Sequence, residues 1–168
     1  MYRTLWVALA LGVFGCGGSP EAGDPENEAN GARFAGELGI LVSEADRPLL
    51  LEQCSRPAPE GVEGWWQPNA TDIASFESGL RLYLAEHVVE PPLPISLEQY
   101  RGRYAGIMRD GRRLIYASFH VPLPGNREEE GSGAGVVTVC DGGRSAFGIE
   151  YDIQRRTYQE LHFNGTFR

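Results

Sequence analysis

Two carboxylates, Glu150 and Asp152, have a spacing suited to acid–base chemistry in a segment that alternates apolar and polar residues. In a β-strand they would project from the same face about 7 Å apart. Paired carboxylates cleave glycosidic bonds at separations of about 5 to 9.5 Å. Two acids on the outward, solvated face of a strand give the same pattern, and we favour that interpretation. We therefore assign no catalytic residue, and a small hydrolase stays an alternative.

The three histidines are the other candidates for acid–base or metal chemistry. They lie far apart in the chain, and no H-E-x-x-H motif or Cys/His zinc spacing includes them. We therefore expect neither a metal site nor a cofactor. Each of two predicted strands carries a set of polar side chains on one face. The first set is His162 with Glu160 and Tyr158, and the second is His120 with Ser118 and Tyr116. They would form an acid–base cluster if both strands faced one cleft, but we favour a solvated sheet face.

The N-terminal segment has the pattern of an export signal. In residues 1–15 one positive charge, Arg3, precedes an apolar run from Leu5 to Phe14. The run is too short to span a bilayer but typical of a signal peptide. It ends in Val13-Phe14-Gly15-Cys16, which resembles a bacterial lipobox and implies that Cys16 is acylated as the first mature residue. An ordinary secretory signal with an incidental cysteine is the alternative.

Acylation would place the protein at a membrane, because two or more acyl chains give a stable anchor. Gly17 after the cysteine resembles the pattern of lipoproteins sent to the outer membrane. We expect a lipid-anchored protein of the cell envelope, at the outer membrane and facing the periplasm or the cell surface. Residues 16–33 are acidic and are predicted to form a flexible tether.

The chain has three cysteines, and setting Cys16 aside leaves Cys54 and Cys140 as an even pair in an oxidising compartment. We expect a disulfide that joins the first helix to the third strand of the sheet; two buried free thiols are the alternative. A catalytic thiol at Cys140 would need a histidine in a geometry that no motif specifies.

The basic residues number 15 and are all arginine, against 23 acidic residues, for a net charge of −8. The lack of lysine excludes lysine-based catalysis and a Walker-type phosphate loop. Candidate partner contacts are the arginines around one predicted hairpin and a tryptophan pair: Arg101, Arg103, Arg109, Arg112, Arg113, Trp65 and Trp66. The arginines could contact an anionic envelope component or a protein partner, although we favour a solvated face. The tryptophans could form a binding platform or close the edge of a core. We expect no contact with nucleic acid.

These residues need a framework of helices and strands. The clearest helix is predicted over residues 71–89, with the sequence Asn69-Ala70-Thr71-Asp72 at its N-terminal end. Its apolar stripe consists of Ile73, Phe76, Leu80, Tyr83, Leu84 and His87. A shorter helix follows Ser43. Asp110-Gly111 predicts a two-residue hairpin turn. Strands are predicted at Tyr104–Arg109, Arg112–Val121, Gly135–Cys140, Ser145–Asp152 and Arg156–Phe163.

The predicted fold class is α+β, in a single domain over residues 34–168. It consists of an amphipathic helix packed on a four- to five-stranded antiparallel meander sheet, plus a short N-terminal helix.

Four segments, YRGRYAGIMRDGRRLIYASF, VVTVCDGG, FGIEYD and HFNG, resemble a group of small exported bacterial proteins. The resemblance covers roughly Cys54 to Gly165 and carries no catalytic or binding assignment. The helix-plus-meander organisation is also similar to cystatin-like and small periplasmic inhibitor folds, which bears on fold alone. We expect a non-enzymatic binding or structural module. The alternatives are an inhibitor of a secreted hydrolase and a small hydrolase that uses acidic and histidine residues on the sheet.

Overall fold

The protein folds as one mixed β-sheet with a long helix on one face, so the predicted α+β class is correct. The computed structural model describes residues 36–88, 92–122 and 136–166; the predicted signal peptide, the tether and Cys16 lie outside these ranges. The strands are β1 (Gly39–Leu41), β2 (Gly64–Trp66), β3 (Arg101–Arg109), β4 (Arg112–His120), β5 (Ala146–Asp152) and β6 (Thr157–Phe163). The helices are α1 (Arg47–Leu51) and α2 (Ala70–His87), with single 3-10 turns at Glu44–Asp46, Leu97–Gln99 and Gly143–Ser145.

The sheet has the strand order β1-β3-β4-β5-β6, and β2 also pairs with β3. β1 runs parallel to the first half of β3, with Gly39 opposite Gly102, whereas β2 runs antiparallel to the second half, with Trp65 opposite Ile107. The prediction of a purely antiparallel meander was therefore wrong. The chain passes through α1, β2 and α2 between β1 and β3, and a connection of that length allows a parallel pairing.

The β3–β4 hairpin is the central structural feature that the sequence predicted. Asp110 and Gly111 both have positive φ, 50° and 68°, as a tight turn between twisted strands requires. Arg109 consequently lies opposite Arg112, and the pairing continues to Arg101 opposite His120.

The predicted strand at Gly135–Cys140 was wrong, because its described residues, 136–140, have no strand structure. A turn follows immediately, with Asp141 and Gly143 at φ 56° and 52°. Val136 packs instead beneath the sheet against a second apolar cluster. Val137 is 38% exposed, so the valines of this segment neither pair as a strand nor form one buried face.

Helix α2 covers the first face of the sheet. Its N-terminus is closed by a reciprocal capping box between Asn69 and Asp72. The buried stripe consists of Ile73, Phe76, Leu80 and Leu84, while Tyr83 is partly buried and His87 exposed. The stripe packs on the inward side chains Tyr104, Ile115, Ala117, Phe119, Phe147, Ile149 and Tyr151. Burying an aliphatic or phenylalanine side chain of this kind contributes about 1.5–3 kcal/mol, so this interface is the main core.

The second face of the sheet is covered as well. Val42 after β1, Leu50 of α1 and Trp65 of β2 pack on this face, against Ala105, Ile107, Leu114 and Tyr116. Glu150 and Asp152 belong to this second face and are 1% and 0% exposed. The expectation that they lie on a solvated face was therefore wrong.

Candidate functional site

An open cleft of about 730 Å³ lies on the second face of the sheet. One side is formed by residues 57–63, which we call the wall segment, and the other by β3, β4, β5 and β6. The lining residues on the sheet side are Arg109, Asp110, Tyr116, Gly148, Glu150, Glu160 and His162. The wall segment is rich in proline and has no strand or helix structure up to Gly64, so its position depends on what holds its two ends.

Arg56 holds the first end of the wall segment. It is 9% exposed and inserts its guanidinium between β4 and the end of β6. Nη2 donates to Ser118 Oγ at 2.7 Å and to Tyr116 Oη at 3.3 Å, and Nη1 donates to Asn164 Oδ1. Among the described residues Nε has no hydrogen-bond partner, so these three acceptors of Nη1 and Nη2 hold the guanidinium and with it the start of the wall segment.

Gly148 on β5 provides the space for this arginine. A Cβ at position 148 would lie 2.9 Å from Arg56 Nε and 2.9 Å from Tyr116 Oη. Any side chain there would displace the guanidinium or the phenol, and this close approach explains glycine in the middle of a central strand.

The neighbouring residues brace the same end. Cys54 and Cys140 form a disulfide in the structure, with their Cα atoms 5.5 Å apart. Ser55 accepts the Asp141 N–H on its hydroxyl at 3.0 Å and the Gly165 N–H on its carbonyl at 2.8 Å. The disulfide joins the loop after α1 to the loop before β5, and not the helix to a strand as the sequence analysis expected.

The far end of the wall segment continues into β2. The Glu63 N–H donates to the Met108 carbonyl at 2.9 Å, and Gly64 then pairs with Met108. Both ends of the segment are therefore fixed, while Pro57, Ala58 and Glu60 between them are exposed.

Glu150 lines the cleft, and both of its carboxylate oxygens accept hydrogen bonds. Arg109 donates to both of its carboxylate oxygens at 2.7 Å, and Gln159 Nε2 donates to Oε2 at 2.9 Å. The hydrogen bonds to Glu150 raise the pKa of Arg109, with the burial of the guanidinium acting in the opposite direction. This bidentate pair makes Glu150 a structural charge and disfavours a role as a catalytic acid.

Asp152 stabilises the turn after β5 by accepting hydrogen bonds from its backbone. Its Oδ1 accepts the backbone N–H groups of Gln154 and Arg155, each at 3.0 Å, and Arg112 Nη1 approaches Oδ2 at 3.5 Å. Asp152 is not among the residues that line the cleft. The two carboxylates proposed for glycosidic chemistry therefore do not face one site.

A β-bulge in β6 rearranges the predicted histidine cluster. The pairing with β5 shifts between Gly148 and Glu150, and Glu160 has φ 51°. Beyond the bulge His162 Nε2 lies 3.0 Å from Glu160 Oε2, and both line the cleft. Tyr158 lies on the other face and packs against Phe76 and Tyr151, so its predicted place beside His162 was wrong. Bulges commonly re-aim side chains in this way.

The second predicted set, on β4, divides along the strand. Tyr116 lines the cleft, while Ser118 lies beneath it as an acceptor for Arg56. Burial raises the pKa of Tyr116, and the nearby Arg56 charge partly opposes that increase. His120 is buried near the end of β4, opposite Arg101, and does not line the cleft.

Most arginines of the predicted contact surface contact acidic or aromatic side chains of the same domain. Arg109 pairs with Glu150, Arg112 with Asp110 and Asp152, and Arg113 lies over the Trp66 ring at 5.1 Å. Arg103 is buried, whereas Arg101 is exposed.

The tryptophan pair belongs to the fold as well. Trp66 donates its indole N–H to the Leu114 carbonyl at 2.9 Å, and Trp65 packs against the second apolar cluster. Neither ring stands free as a binding platform.

The cleft itself is acidic. Five carboxylates line it, namely Glu60, Glu63, Asp110, Glu150 and Glu160, against the single guanidinium of Arg109. Glu150 and Arg109 neutralise each other, and Asp110 lies 3.5 Å from Arg112 Nη2, so Glu60, Glu63 and Glu160 provide most of the exposed negative charge that a ligand meets. Five residues on the sheet side of this cleft were candidates from the sequence, namely Arg109, Tyr116, Glu150, Glu160 and His162. The wall segment was not predicted, because it and Arg56 have no motif and reach the sheet only through residues distant in the chain.

Within the described ranges no group of three or more His, Cys, Asp or Glu side chains is arranged to hold a metal ion, and no helix has the length and apolar character needed to cross a membrane. Comparisons of the chain with models of protein families, with curated proteins and with solved structures found no match.

Proposed function

We propose that this protein is a lipid-anchored, non-enzymatic binding module of the cell envelope, whose acidic cleft takes a cationic segment of a partner protein. The observation that carries the proposal is the cleft of about 730 Å³, whose exposed side chains are mainly carboxylates. Sites for ligands are concave and few per protein, and this volume lies in their usual range of about 300–1,000 Å³.

The charge distribution favours a cation over the anionic partner that the hairpin arginines suggested. Glu60 and Glu63 lie on the wall segment, and Asp110 and Glu160 lie on the opposite side, all of them exposed. A cationic side chain between them would meet negative charge from both directions, and low-dielectric walls strengthen that attraction. The arginines of the hairpin, by contrast, are largely paired with acids or an aromatic ring.

The test measures the binding of fluorescein-labelled oligo-arginine and oligo-glutamate peptides by fluorescence anisotropy at low and physiological salt. We expect oligo-arginine to bind, and to bind more weakly as salt rises. The double variant Glu60→Gln/Glu63→Gln should weaken binding by about tenfold, since each exposed ion pair contributes up to about 1 kcal/mol.

The matched control is Glu52→Gln/Glu86→Gln, which removes two exposed carboxylates outside the cleft lining. The control separates the cleft from the protein's overall negative charge. Equal weakening by the two double variants, or equal binding of oligo-glutamate, would contradict a cationic ligand in the cleft.

The anchor has its own test in the host cell. We expect radioactive palmitate to label the wild-type protein and not the Cys16→Ala variant, because Cys16 is the proposed site at which the acyl chains are attached. Label retained by Cys16→Ala would exclude this anchor without affecting the proposal for the cleft.

Hydrolysis is the second candidate function, and the contact between His162 and Glu160 at the cleft favours it. In this case His162 would accept a proton from an attacking water and Glu160 would orient its imidazole. Hydrolysis of a peptide or ester substrate panel by the wild type, with loss in His162→Ala, would support this function over binding alone. Inhibition of a secreted hydrolase stays a prediction from the sequence.

A further inference from the structure

The carboxylate of Glu77 on α2 holds the first described residues of the chain. Its Oε2 accepts the Glu37 N–H at 2.7 Å, and its Oε1 accepts the Leu38 N–H at 3.1 Å and the Tyr104 hydroxyl at 2.8 Å. Burial, and secondarily the charge of Glu77, raises the pKa of Tyr104, so its hydroxyl stays protonated and donates. The Glu77 side chain thus connects the backbone of residues 37 and 38 to Tyr104 of β3.

The segment that Glu77 holds, residues 36–41, is attached to the sheet by a short pairing; we call it the strap. Its β1 part has three residues in register with β3, from Gly39 opposite Gly102 to Leu41 opposite Tyr104. The β3–β4 pairing has nine. Backbone bonds next to the register, Gly102 N–H to Leu38 O at 2.8 Å and Val42 N–H to Tyr104 O at 3.0 Å, complete the attachment.

An open cavity of about 580 Å³ is lined by residues of both the strap and α2. Its lining includes Gly36 and Leu38 on the strap and Ile73, Ala74 and Arg81 on the helix. Leu38 and Leu41 are buried in the main core, but beside the cavity the carboxylate of Glu77 makes the contact with the helix. Charge-assisted hydrogen bonds of this kind are about twice as strong as neutral ones.

We propose that the strap opens from the sheet as a separate unit and that Glu77 is the latch that keeps it closed. An open strap uncovers the first half of the β3 edge, where Gly102 N–H and Tyr104 C=O lose their backbone partners. Segments with few backbone pairings open at a lower free energy than the core of a fold. If the proposed anchor at Cys16 is correct, the strap is also the first part of the domain to bear a pull on the tether.

Hydrogen exchange followed by mass spectrometry on the full purified chain tests the latch and does not depend on the anchor. We expect the strap amides in the wild type to exchange faster than those of β4 and β5. Glu77→Gln and Glu77→Ala should accelerate exchange of the strap by at least about tenfold, because each removes charge-assisted bonds to two backbone N–H groups. Exchange in β4 and β5 should not change.

The matched control is Glu86→Gln, an exposed carboxylate on the same helix, which should leave the strap unchanged. A wild-type strap that exchanges as slowly as β4 would overturn the proposal. So would a Glu77 variant that accelerates strap and core alike, because the strap would then open only with the whole domain. If the variants do not fold, the wild-type comparison decides by itself.

Discussion

Removal of the Glu150 carboxylate should strongly destabilise the domain. Its side chain is 2% exposed, and that of Arg109 is 16% exposed. Glu150→Ala would remove two hydrogen bonds of 2.7 Å and leave a mostly buried guanidinium without its counter-charge. Breaking a buried ion pair from one side costs about 3–5 kcal/mol. Since the cleft lets water reach Arg109, we expect the lower end, about 3 kcal/mol.

At about 2–4 °C per kcal/mol for a domain of this size, Tm should fall by about 6–12 °C. Urea denaturation gives the free energy and differential scanning calorimetry gives Tm. The double variant Arg109→Met/Glu150→Leu removes both charges and should recover to within about 1.5 kcal/mol of the wild type. Glu160→Ala is the control, because its exposed pair with His162 should contribute under about 1 kcal/mol.

A loss below about 1 kcal/mol in Glu150→Ala would refute this interpretation of the pair. A double variant as unstable as Glu150→Ala would also refute it, because the cost would then come from lost packing and not from an unpaired charge.

Two further predictions concern packing and pH. Gly148→Ala should lower the free energy of unfolding in urea by about 1–3 kcal/mol, because its Cβ would meet Arg56 and Tyr116 at 2.9 Å. Gly64→Ala is the control and should lower it less, because the nearest neighbour of its Cβ would be 4.0 Å away. Equal losses in the two variants would contradict the close approach at Gly148. Burial raises the pKa of Tyr100 from 10.0 to about 12, against a smaller opposing effect of Arg144. Because the folded state favours the neutral phenol, this stabilisation is complete below pH 10 and is lost as pH rises through about 12. Tyrosinate absorbance of wild type against Tyr100→Phe, with urea denaturation at each pH, checks this, and a native Tyr100 that ionises near 10 would contradict it.

Local sequence patterns predicted the elements that local chemistry determines. The capping residues Asn69 and Asp72 and the apolar spacing of α2 fixed its position to within two residues at either end. Asp110-Gly111 fixed the β3–β4 hairpin and its register, because few residue pairs adopt positive φ twice in succession.

The second face of the sheet could not be predicted, because alternation separates two faces without telling which of them is covered. Glu150 alternates with Ile149 as on a solvated strand, but Arg109 of β3 and Gln159 of β6 cover its carboxylate, and neither contact can be seen in the alternation. The bulge at Glu160 was equally hidden, because one inserted residue reverses the faces beyond it. Glu77 lies outside the apolar stripe of α2, and that pattern does not reveal that its carboxylate accepts the backbone N–H groups of Glu37 and Leu38.

The site is the part that long-range contacts build almost entirely. Arg56 reaches Ser118 and Asn164 across the sheet, and together with the disulfide and the Glu63 N–H bond to Met108 it positions the wall segment opposite Glu160. A single arginine before prolines has no periodicity or motif that would distinguish it from a surface charge.

The most direct test of the central claim is an NMR titration of the ¹⁵N-labelled domain with an oligo-arginine peptide, followed amide by amide. We predict saturable shifts that concentrate at the cleft, at Glu60, Gly61, Glu63, Glu160 and His162. Amides of the exposed face of α2, such as those of Arg81 and Glu86, should not move. Shifts spread evenly over all acidic surfaces, or none at the cleft, would contradict a cationic ligand site there.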